Sequence, residues 1–258
     1  MPGRVRINKF LRDCQLGSRR KCESLILEGL VTVGGKTVGD MATLVDPAAD
    51  VVEVRGKRVR PSQEMVYLAV NKPRGLVVTA SDPRGRPTLY DAIAGLPRGV
   101  ASVGRLDMDS EGLILMTNDG KLAFRLAHPR YGTERVYEVG IEGKASRELI
   151  DNLRKGVELE DGQARAERVS LVHDGERRFT LRLTLTEGRK REVRRMVAAC
   201  GFEVCKLRRV RFATVALGTL APGAWRHLTR DEIRGLRRSV QDAYLAGGDR
   251  GRRRAGRE

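Results

Sequence analysis

The sequence predicts an α+β protein in which a small domain is followed by a larger one. At 258 residues the chain exceeds the usual size of a single domain. Its N-terminal part contains two helical hydrophobic patterns that are followed by short patterns of period two. The longer C-terminal part is rich in strand patterns, with short helical patterns between them.

A first helix is predicted over residues 6–14, where apolar side chains recur at positions i, i+3, i+4 and i+7. Gly17 and Ser18 then provide a C′ glycine for this helix and an N-cap for a second helix, which ends at Leu27. Residues 19–21 are all Arg or Lys, although the helix dipole disfavours cations in a first turn. These cations either bind phosphate or form an ordinary solvated turn.

Beyond Gly29 the pattern changes to period two. Residues 30–33 and 36–38 flank a Gly-Gly turn, which is typical of a hairpin, and residues 51–54 form another strand pattern. Residues 1–60 contain twelve Lys and Arg against seven Asp and Glu. We therefore expect a compact basic module of two helices and a few short strands.

This module resembles the RNA-binding domain named after ribosomal small-subunit protein four. The matching stretches are Arg6-Ile7-Asn8-Lys9-Phe10-Leu11, Gly17-Ser18-Arg19-Arg20 and Gly29-Leu30-Val31-Thr32-Val33-Gly34-Gly35-Lys36. The resemblance implies that the helices contact structured RNA, but it does not identify a reaction. The residues expected to contact RNA are Arg6, Lys9, Arg19, Arg20 and Lys21.

The rest of the chain is divided by a Pro-containing polar stretch. We place a linker at residues 61–65, a second domain at 66–245 and a basic tail, expected to be disordered, at 246–258. Strands are predicted at 65–70, 76–79, 113–116, 179–185 and 203–207. Helices are predicted at 89–93, 122–127, 149–153 and 231–245.

The composition favours a nucleic acid partner. The formal net charge is +17 and the pI about 10.4, which implies attraction to a polyanion. A membrane surface is the competing partner, but no segment approaches the apolar length of a spanning helix, so we expect a cytoplasmic protein. The four cysteines and three histidines lack zinc-site spacing, and no glycine-rich nucleotide loop is present. We expect no metal and no cofactor.

An acidic stretch over residues 103–120 is the first candidate site. Asp107, Asp109 and Glu111 alternate along the chain, so an extended backbone would place them on one side, in front of the strand at 113–116. They form either an active-site rim beside Arg105 or a solvated loop. The residues alone do not distinguish the three carboxylates.

Several spaced motifs are similar to those of the ribosomal RNA pseudouridine synthases, in the branch formed by the A-type enzymes for small-subunit RNA and the B-type enzymes for large-subunit RNA. They are Lys72-Pro73-x-Gly75, Gly104-Arg105-Leu106-Asp107, Ser110-x-Gly112-Leu113, Thr117-Asn118-Asp119-Gly120, Glu134-Arg135-x-Tyr137 and Glu187-Gly188-Arg189-Lys190-Arg191-Glu192-Val193-Arg194-Arg195-Met196. The similarity spans nearly residues 4–235. It implies a mainly antiparallel mixed sheet and cofactor-free isomerisation of uridine within RNA, in which the uracil is detached, turned and rejoined through carbon five.

The resemblance also implies roles for individual residues. Asp107 is the reacting carboxylate, and Arg194 is its cationic partner unless it is an ordinary helix-face residue. Tyr137 stacks on the uracil, although a strand tyrosine is most often core. Arg105 holds the target nucleotide out of the stack, or forms a structural salt bridge to Asp109.

The remaining expected substrate contacts are basic, apart from one apolar wall for the base. They are Leu207, Lys72, Arg74, Lys190 and Arg191. Within the family that the chain resembles, residues 82–88 and the Arg191-Glu192 pair are more similar to the large-subunit branch, which implies large-subunit ribosomal RNA, with small-subunit RNA as the alternative. A noncatalytic RNA-binding or ribosome-assembly protein is the rival class. The expected partner is ribosomal RNA or an assembling ribosomal particle, and we expect a monomer.

Overall fold

The computed structural model describes residues 3–61 and 64–241. Part of the predicted linker and all of the predicted tail at 246–258 therefore lie outside the described residues. The described chain divides into two compact units. The first contains the residues up to Val66 together with Gly95–Ala101, and the second contains Tyr67–Ala94 and the residues from Ser102 onward.

The helices of the first unit form where the hydrophobic spacing predicts them. They are α1, Ile7–Asp13, and α2, Arg19–Leu27. Ser18 caps α2, because its hydroxyl accepts a hydrogen bond of 3.2 Å from the Lys21 N–H. The two helices bury Ile7, Phe10, Leu11, Cys22 and Ile26 in one apolar core.

Short strands complete the first unit. They are β1 Val5–Arg6, β2 Val31–Val33, β3 Lys36–Thr37, β4 Leu44–Val45, β5 Val52–Val54 and β6 Lys57–Val59. The sheet order is β3-β2-β5-β6, while β1 pairs with β4. The predicted hairpin is confirmed: Gly34 and Gly35 at its turn have φ of 57° and 78°, which glycine adopts without strain.

The second unit is built on one mixed sheet. Its strands are β7 Tyr67–Lys72, β9 Glu111–Thr117, β10 Arg135–Glu142, β11 Arg168–Asp174, β12 Arg178–Leu185, β13 Val204–Phe212, β14 Val215–Ala216 and β15 Trp225–His227, while β8, Ala101–Ser102, lies where the chain passes between the units. Seven strands follow the order β11-β12-β10-β13-β9-β7-β15, in which only β13 and β9 are parallel. The expected mainly antiparallel mixed sheet is therefore confirmed.

The helices of the second unit agree with the sequence pattern, whereas one predicted strand does not form. They are α3 Leu89–Ala92, α4 Gly120–Ala127, α5 Arg147–Lys155, α6 Glu192–Ala199 and α7 at 230–241, with a 3₁₀ turn at Pro129–Tyr131. The strand predicted at 76–79 is wrong, because this stretch forms only an isolated bridge between Val77 and Thr88. Among the described residues, no helix has the length and apolarity to cross a membrane.

Gly112 fixes how β9 and β13 meet. Its φ is +103°, and a Cβ atom at this position would lie 2.3 Å from the backbone oxygen of Arg209. A side chain would therefore force the two parallel strands apart. The close approach sets β13 beside the segment that leads into β9, where the acidic stretch lies.

Candidate active site

The second unit contains a cleft of about 760 Å³. Six predicted site residues line it: Arg105, Asp107, Tyr137, Lys190, Arg191 and Leu207. The other predicted members of this site, Lys72, Arg74 and Arg194, are not among its lining residues. The motifs are separated by up to a hundred residues in sequence, but the sheet brings most of them to one cavity.

The backbone turns at the acidic stretch instead of remaining extended. The N–H of Ser110 donates to the carbonyl of Asp107 at 3.1 Å, so residues 108–109 form a turn. The expectation that alternate carboxylates share one side is therefore wrong. Asp107 is half-buried at the cleft, and its carboxylate has no hydrogen bond or ion pair with any described residue.

Asp109 is held by two arginines from the basic block. Its carboxylate lies 3.2 Å from Arg191 Nη2 and 3.2 Å from Arg194 Nε, while Arg194 also donates to the carbonyls of Asp109 and Val204. Burial raises the pKa of Asp109, but the hydrogen bonds from Arg191 and the charges of both arginines outweigh it and hold that pKa below its ordinary value.

Within 4 Å, Arg194 pairs with Asp109, while the charge of Asp107 also favours the protonated form of Arg194. The contacts of Asp109 correct two predictions. Asp109 is not a merely solvated carboxylate, and Arg105 is not its salt-bridge partner, since Arg105 is exposed on the cleft. The third carboxylate, Glu111, lies 3.3 Å from Lys206 in a surface pair. The alternating pattern thus separates into one free and two paired carboxylates.

Lys72 supports the acidic stretch from behind. Its side chain is fully buried, and its ammonium donates to the carbonyls of Ser110 at 2.7 Å, Pro73 at 3.1 Å and Met108 at 3.4 Å. Burial lowers the pKa of Lys72 to about 8, against the opposing attraction of the nearby carboxylates. The prediction that Lys72 binds substrate is therefore wrong, because its buried ammonium is committed to backbone carbonyls, two of which, those of Met108 and Ser110, lie shortly after Asp107 in the chain.

Tyr137 and Leu207 form one wall of the cleft. Tyr137 on β10 lies opposite Arg209 on β13, and Val139 lies opposite Leu207, so strand alternation places Tyr137 and Leu207 on the same face. They are only 8% and 5% exposed. Tyr137 is thus packed like a core residue and lines the cleft at once.

Two buried arginines that the sequence did not predict as site residues also line the cleft. Arg135 donates to the carbonyls of Thr133, Thr186, Glu187 and Leu126, which ties together the loops around the cavity. Arg209 donates to the Leu113 carbonyl at 2.7 Å. Both guanidinium groups lie over Phe212, at 5.2 and 5.0 Å from its ring centroid. Arg135 lies two residues before Tyr137, and Arg209 lies two residues after Leu207, so strand alternation alone could have placed both arginines on the face of the sheet that lines the cleft.

The basic block is part scaffold and part surface. Arg189 donates to the carbonyls of Asp161, Gly162 and Gln163, which fixes the loop that leads to α6. Lys190 and Arg191 are exposed at the cleft, and Arg191 is the N-cap residue of α6, with a left-handed φ of 51°. Arg74 is also exposed, and its charge opposes the protonated form of Arg194.

The first unit presents most of its predicted RNA contacts to solvent: Arg6, Arg19, Arg20 and Lys21 are exposed. Lys9 is half-buried, and its ammonium pairs with Asp13 at 2.9 Å. The four cysteines are free thiols, and burial raises the pKa of Cys14 to about 12. In the described part of the chain, no group of three or more His, Cys, Asp or Glu could hold a metal ion.

The chain is similar to two known families along most of its length. The family described as RNA pseudouridylate synthase matches residues 66–199, and the S4 domain matches residues 5–52. A protein of Bacillus subtilis strain 168 named ribosomal large subunit pseudouridine synthase B is 38% identical over 234 residues, which cover 90% of this chain and 95% of that protein.

One further relative and one solved structure are also similar to this chain over most of its length. An uncharacterized RNA pseudouridine synthase of Aquifex aeolicus strain VF5 is 41% identical, covering 93% of this chain and 97% of the relative. A solved crystal structure of a pseudouridylate synthase superposes with a TM-score of 0.63 at 28% identity, covering 90% of this chain and 99% of the other.

Proposed function

This chain belongs to the RNA pseudouridylate synthase family, and from that premise we propose that it acts on large-subunit ribosomal RNA with Asp107 as the reacting carboxylate. Family membership makes the protein an enzyme that isomerises uridine to pseudouridine in RNA. The choice of RNA is supported by relatives in Bacillus subtilis and Vibrio cholerae that carry the name ribosomal large subunit pseudouridine synthase B.

One observation carries the assignment of Asp107. It is the carboxylate of the acidic stretch that lines the cleft and forms no hydrogen bond or ion pair with a described residue. Asp109 is neutralised by two arginines, and Glu111 pairs at the surface. A carboxylate shared between two guanidinium groups at 3.2 Å is less free to approach a sugar and less nucleophilic, so Asp107 is the better candidate.

The reaction conserves every atom. The bond between the sugar and uracil N1 breaks, uracil turns, a bond forms from the sugar to C5, and the C5 proton is lost while N1 gains one. A free carboxylate beside the sugar serves this sequence either as a nucleophile or as a base. Tyr137 and Leu207 would hold the detached ring by stacking and apolar contact, which keeps it in the cleft while it turns.

The charges around the cleft suit the RNA backbone. Arg105, Arg74, Lys190 and Arg191 are exposed there or near it, whereas Arg194 is half-buried against Asp109. We assign the exposed cations to phosphate contact and to holding the target nucleotide out of its stack. Arg194 then acts as a cation that fixes the backbone of the acidic stretch through Asp109.

The first unit supplies RNA affinity of its own. Exposed Arg19, Arg20 and Lys21 in the first turn of α2 offer side chains and backbone N–H groups to phosphates. The proposed partner is ribosomal RNA, free or within an assembling ribosomal particle. We assign the protein to the cytoplasm, where such RNA is made and folded, and we propose that it is a monomer.

The test is to map pseudouridine after incubating the protein with unmodified rRNA transcripts of both ribosomal subunits, and with ribosomal particles from a strain that lacks it. Carbodiimide treatment followed by reverse transcription reveals each new pseudouridine as a stop. We expect a single stop in large-subunit RNA. A stop confined to small-subunit RNA would make that RNA the substrate, and no stop on any RNA would contradict the assignment.

A further inference from the structure

An exposed aromatic and basic cluster lies beside the cleft. Phe124 on α4 is 54% exposed, in a chain with only 4% aromatic residues. The ring of His128 lies 5.1 Å from it, and the guanidinium of Arg130 lies 5.8 Å from its centroid. We call Phe124, His128 and Arg130 the aromatic platform.

The platform is held in place from below. Arg130 also lies 4.6 Å from the centroid of Tyr131, which is buried in the core, and it donates to the Tyr131 hydroxyl. The imidazole Nδ1 of His128 accepts the Arg130 N–H at 3.2 Å. These contacts order the cation and the imidazole around Phe124 but leave more than half of the Phe124 residue open to solvent.

The surroundings of the platform are positive. Residues 120–133 contain Lys121, Arg125 and Arg130 and no Asp or Glu. Lys121 and Arg125 are exposed, and Lys121 shares a helix face with Phe124 and Arg125 by its i, i+3 and i+4 spacing. An open aromatic ring among cations that form no ion pair with a described residue matches a nucleotide, which offers a flat base and a phosphate together.

The platform is also continuous with the cleft. Ala127, one helical turn after Phe124, and Pro129, next to His128, both line the cavity that contains Asp107. Arg135 fixes this end of α4 by donating to the Leu126 carbonyl at 3.2 Å. A residue three positions along a helix is roughly 5–6 Å away, so Phe124 lies about one side chain from the cavity wall.

We propose that the aromatic platform stacks an unpaired RNA base next to the target uridine. The proposal rests on the proposed function, because an enzyme that removes a uridine from its stack leaves the neighbouring base without one partner. Phe124 supplies a replacement surface, and Arg130 and Lys121 accompany the phosphates. Base–aromatic stacking tolerates any sequence, since every base has a π-face.

Binding of a twelve-nucleotide single-stranded RNA by four variants tests this proposal. Phe124→Ala and Phe124→Leu weaken binding at least about fivefold, the lower end of the stacking contribution, while Phe124→Tyr binds like the wild type. Leu171→Ala, at a 43% exposed apolar position on β11, is the matched control and changes nothing. A fully paired RNA duplex binds all four equally.

Two kinds of result would overturn the proposal. Normal binding by Phe124→Ala, or full binding by Phe124→Leu, would overturn stacking. A defect seen only with protein-containing ribosomal particles would make the occupant a protein and overturn the proposal too.

A second measurement places the base. An abasic nucleotide beside the mapped uridine is expected to slow pseudouridine formation by the wild type but not to slow the Phe124→Ala variant further. Equal slowing of both proteins would overturn the placement of the stacked base next to the target uridine. If the wild type forms no pseudouridine yet shows the single-strand pattern, the proposed function fails while the platform is retained.

Discussion

Replacing Lys72 with Met tests whether a buried ammonium positions the reacting carboxylate. The substitution removes the donor to the carbonyls of Ser110, Pro73 and Met108. The Met108 carbonyl still accepts a hydrogen bond of 2.7 Å from the Gly75 N–H. The other two carbonyls are left without the ammonium donor, at a cost of roughly 1–3 kcal/mol each. The substitution also removes a charge whose pKa is lowered from 10.5 to about 8, a penalty of about 3 kcal/mol.

The two effects nearly offset each other, so the free energy of unfolding falls by no more than about 3 kcal/mol and the protein folds. Activity falls further, since a displacement of about 1 Å in a reacting group can cost roughly 100-fold. Urea unfolding and single-turnover pseudouridine formation measure the two quantities. Lys206→Met, which removes a surface ammonium that is 63% exposed, is the control and leaves both nearly unchanged.

The pH dependence has a definite sign. Because the pKa of Lys72 is lowered in the folded protein, the unfolded chain binds more protons between about pH 8 and 10.5. The wild type therefore gains up to about 3 kcal/mol over the Lys72→Met variant as the pH rises through this window. A difference that stays flat with pH, or a variant with full activity, would refute the account of Lys72.

Two further substitutions probe the supports of the site. Gly112→Ala is expected to destabilise the protein more than Gly143→Ala does, because only a methyl group at position 112 meets the Arg209 backbone. Gly143 is the control, since it has a similar φ of +101° with open space around it. Equal unfolding midpoints of the two variants in urea would contradict this expectation. Asp109→Asn is expected to cost about 1–2 kcal/mol, below the cost for a fully buried pair because Asp109 is 28% exposed, and to slow turnover by displacing Arg194. Asp161→Asn, at an exposed pair, leaves turnover unchanged, and equal turnover in both variants would contradict a positioning role.

Local signals predicted the helices well. The spacing of Ile7, Phe10 and Leu11 and the Ser18 cap act within a few residues, so they determine α1 and α2 without tertiary information. The stretch at 76–79 shows the limit of such reasoning. Its apolar β-branched residues match a strand pattern, but a strand needs a neighbour, and only Val77 finds a bridge.

The site required tertiary information in a different way. Nothing in the alternation of Asp107 and Asp109 tells which one meets Arg191, a residue 82 positions beyond Asp109 in the sequence. Lys72 stands in a motif that looks like an exposed basic turn, and its burial depends on carbonyls 36 and 38 positions further along the chain. The resemblance to a family predicted which residues gather at the cleft, but the pairing among them depends on how the strands align.

The substitution Asp107→Asn tests the central claim most directly. It keeps the size of the side chain and removes the charge that the reaction needs. In a single-turnover assay on the mapped rRNA substrate, we expect no pseudouridine from Asp107→Asn while its RNA affinity stays near that of the wild type. Full activity in Asp107→Asn, together with loss of all activity in Asp109→Asn, would contradict the account and make Asp109 the reacting carboxylate.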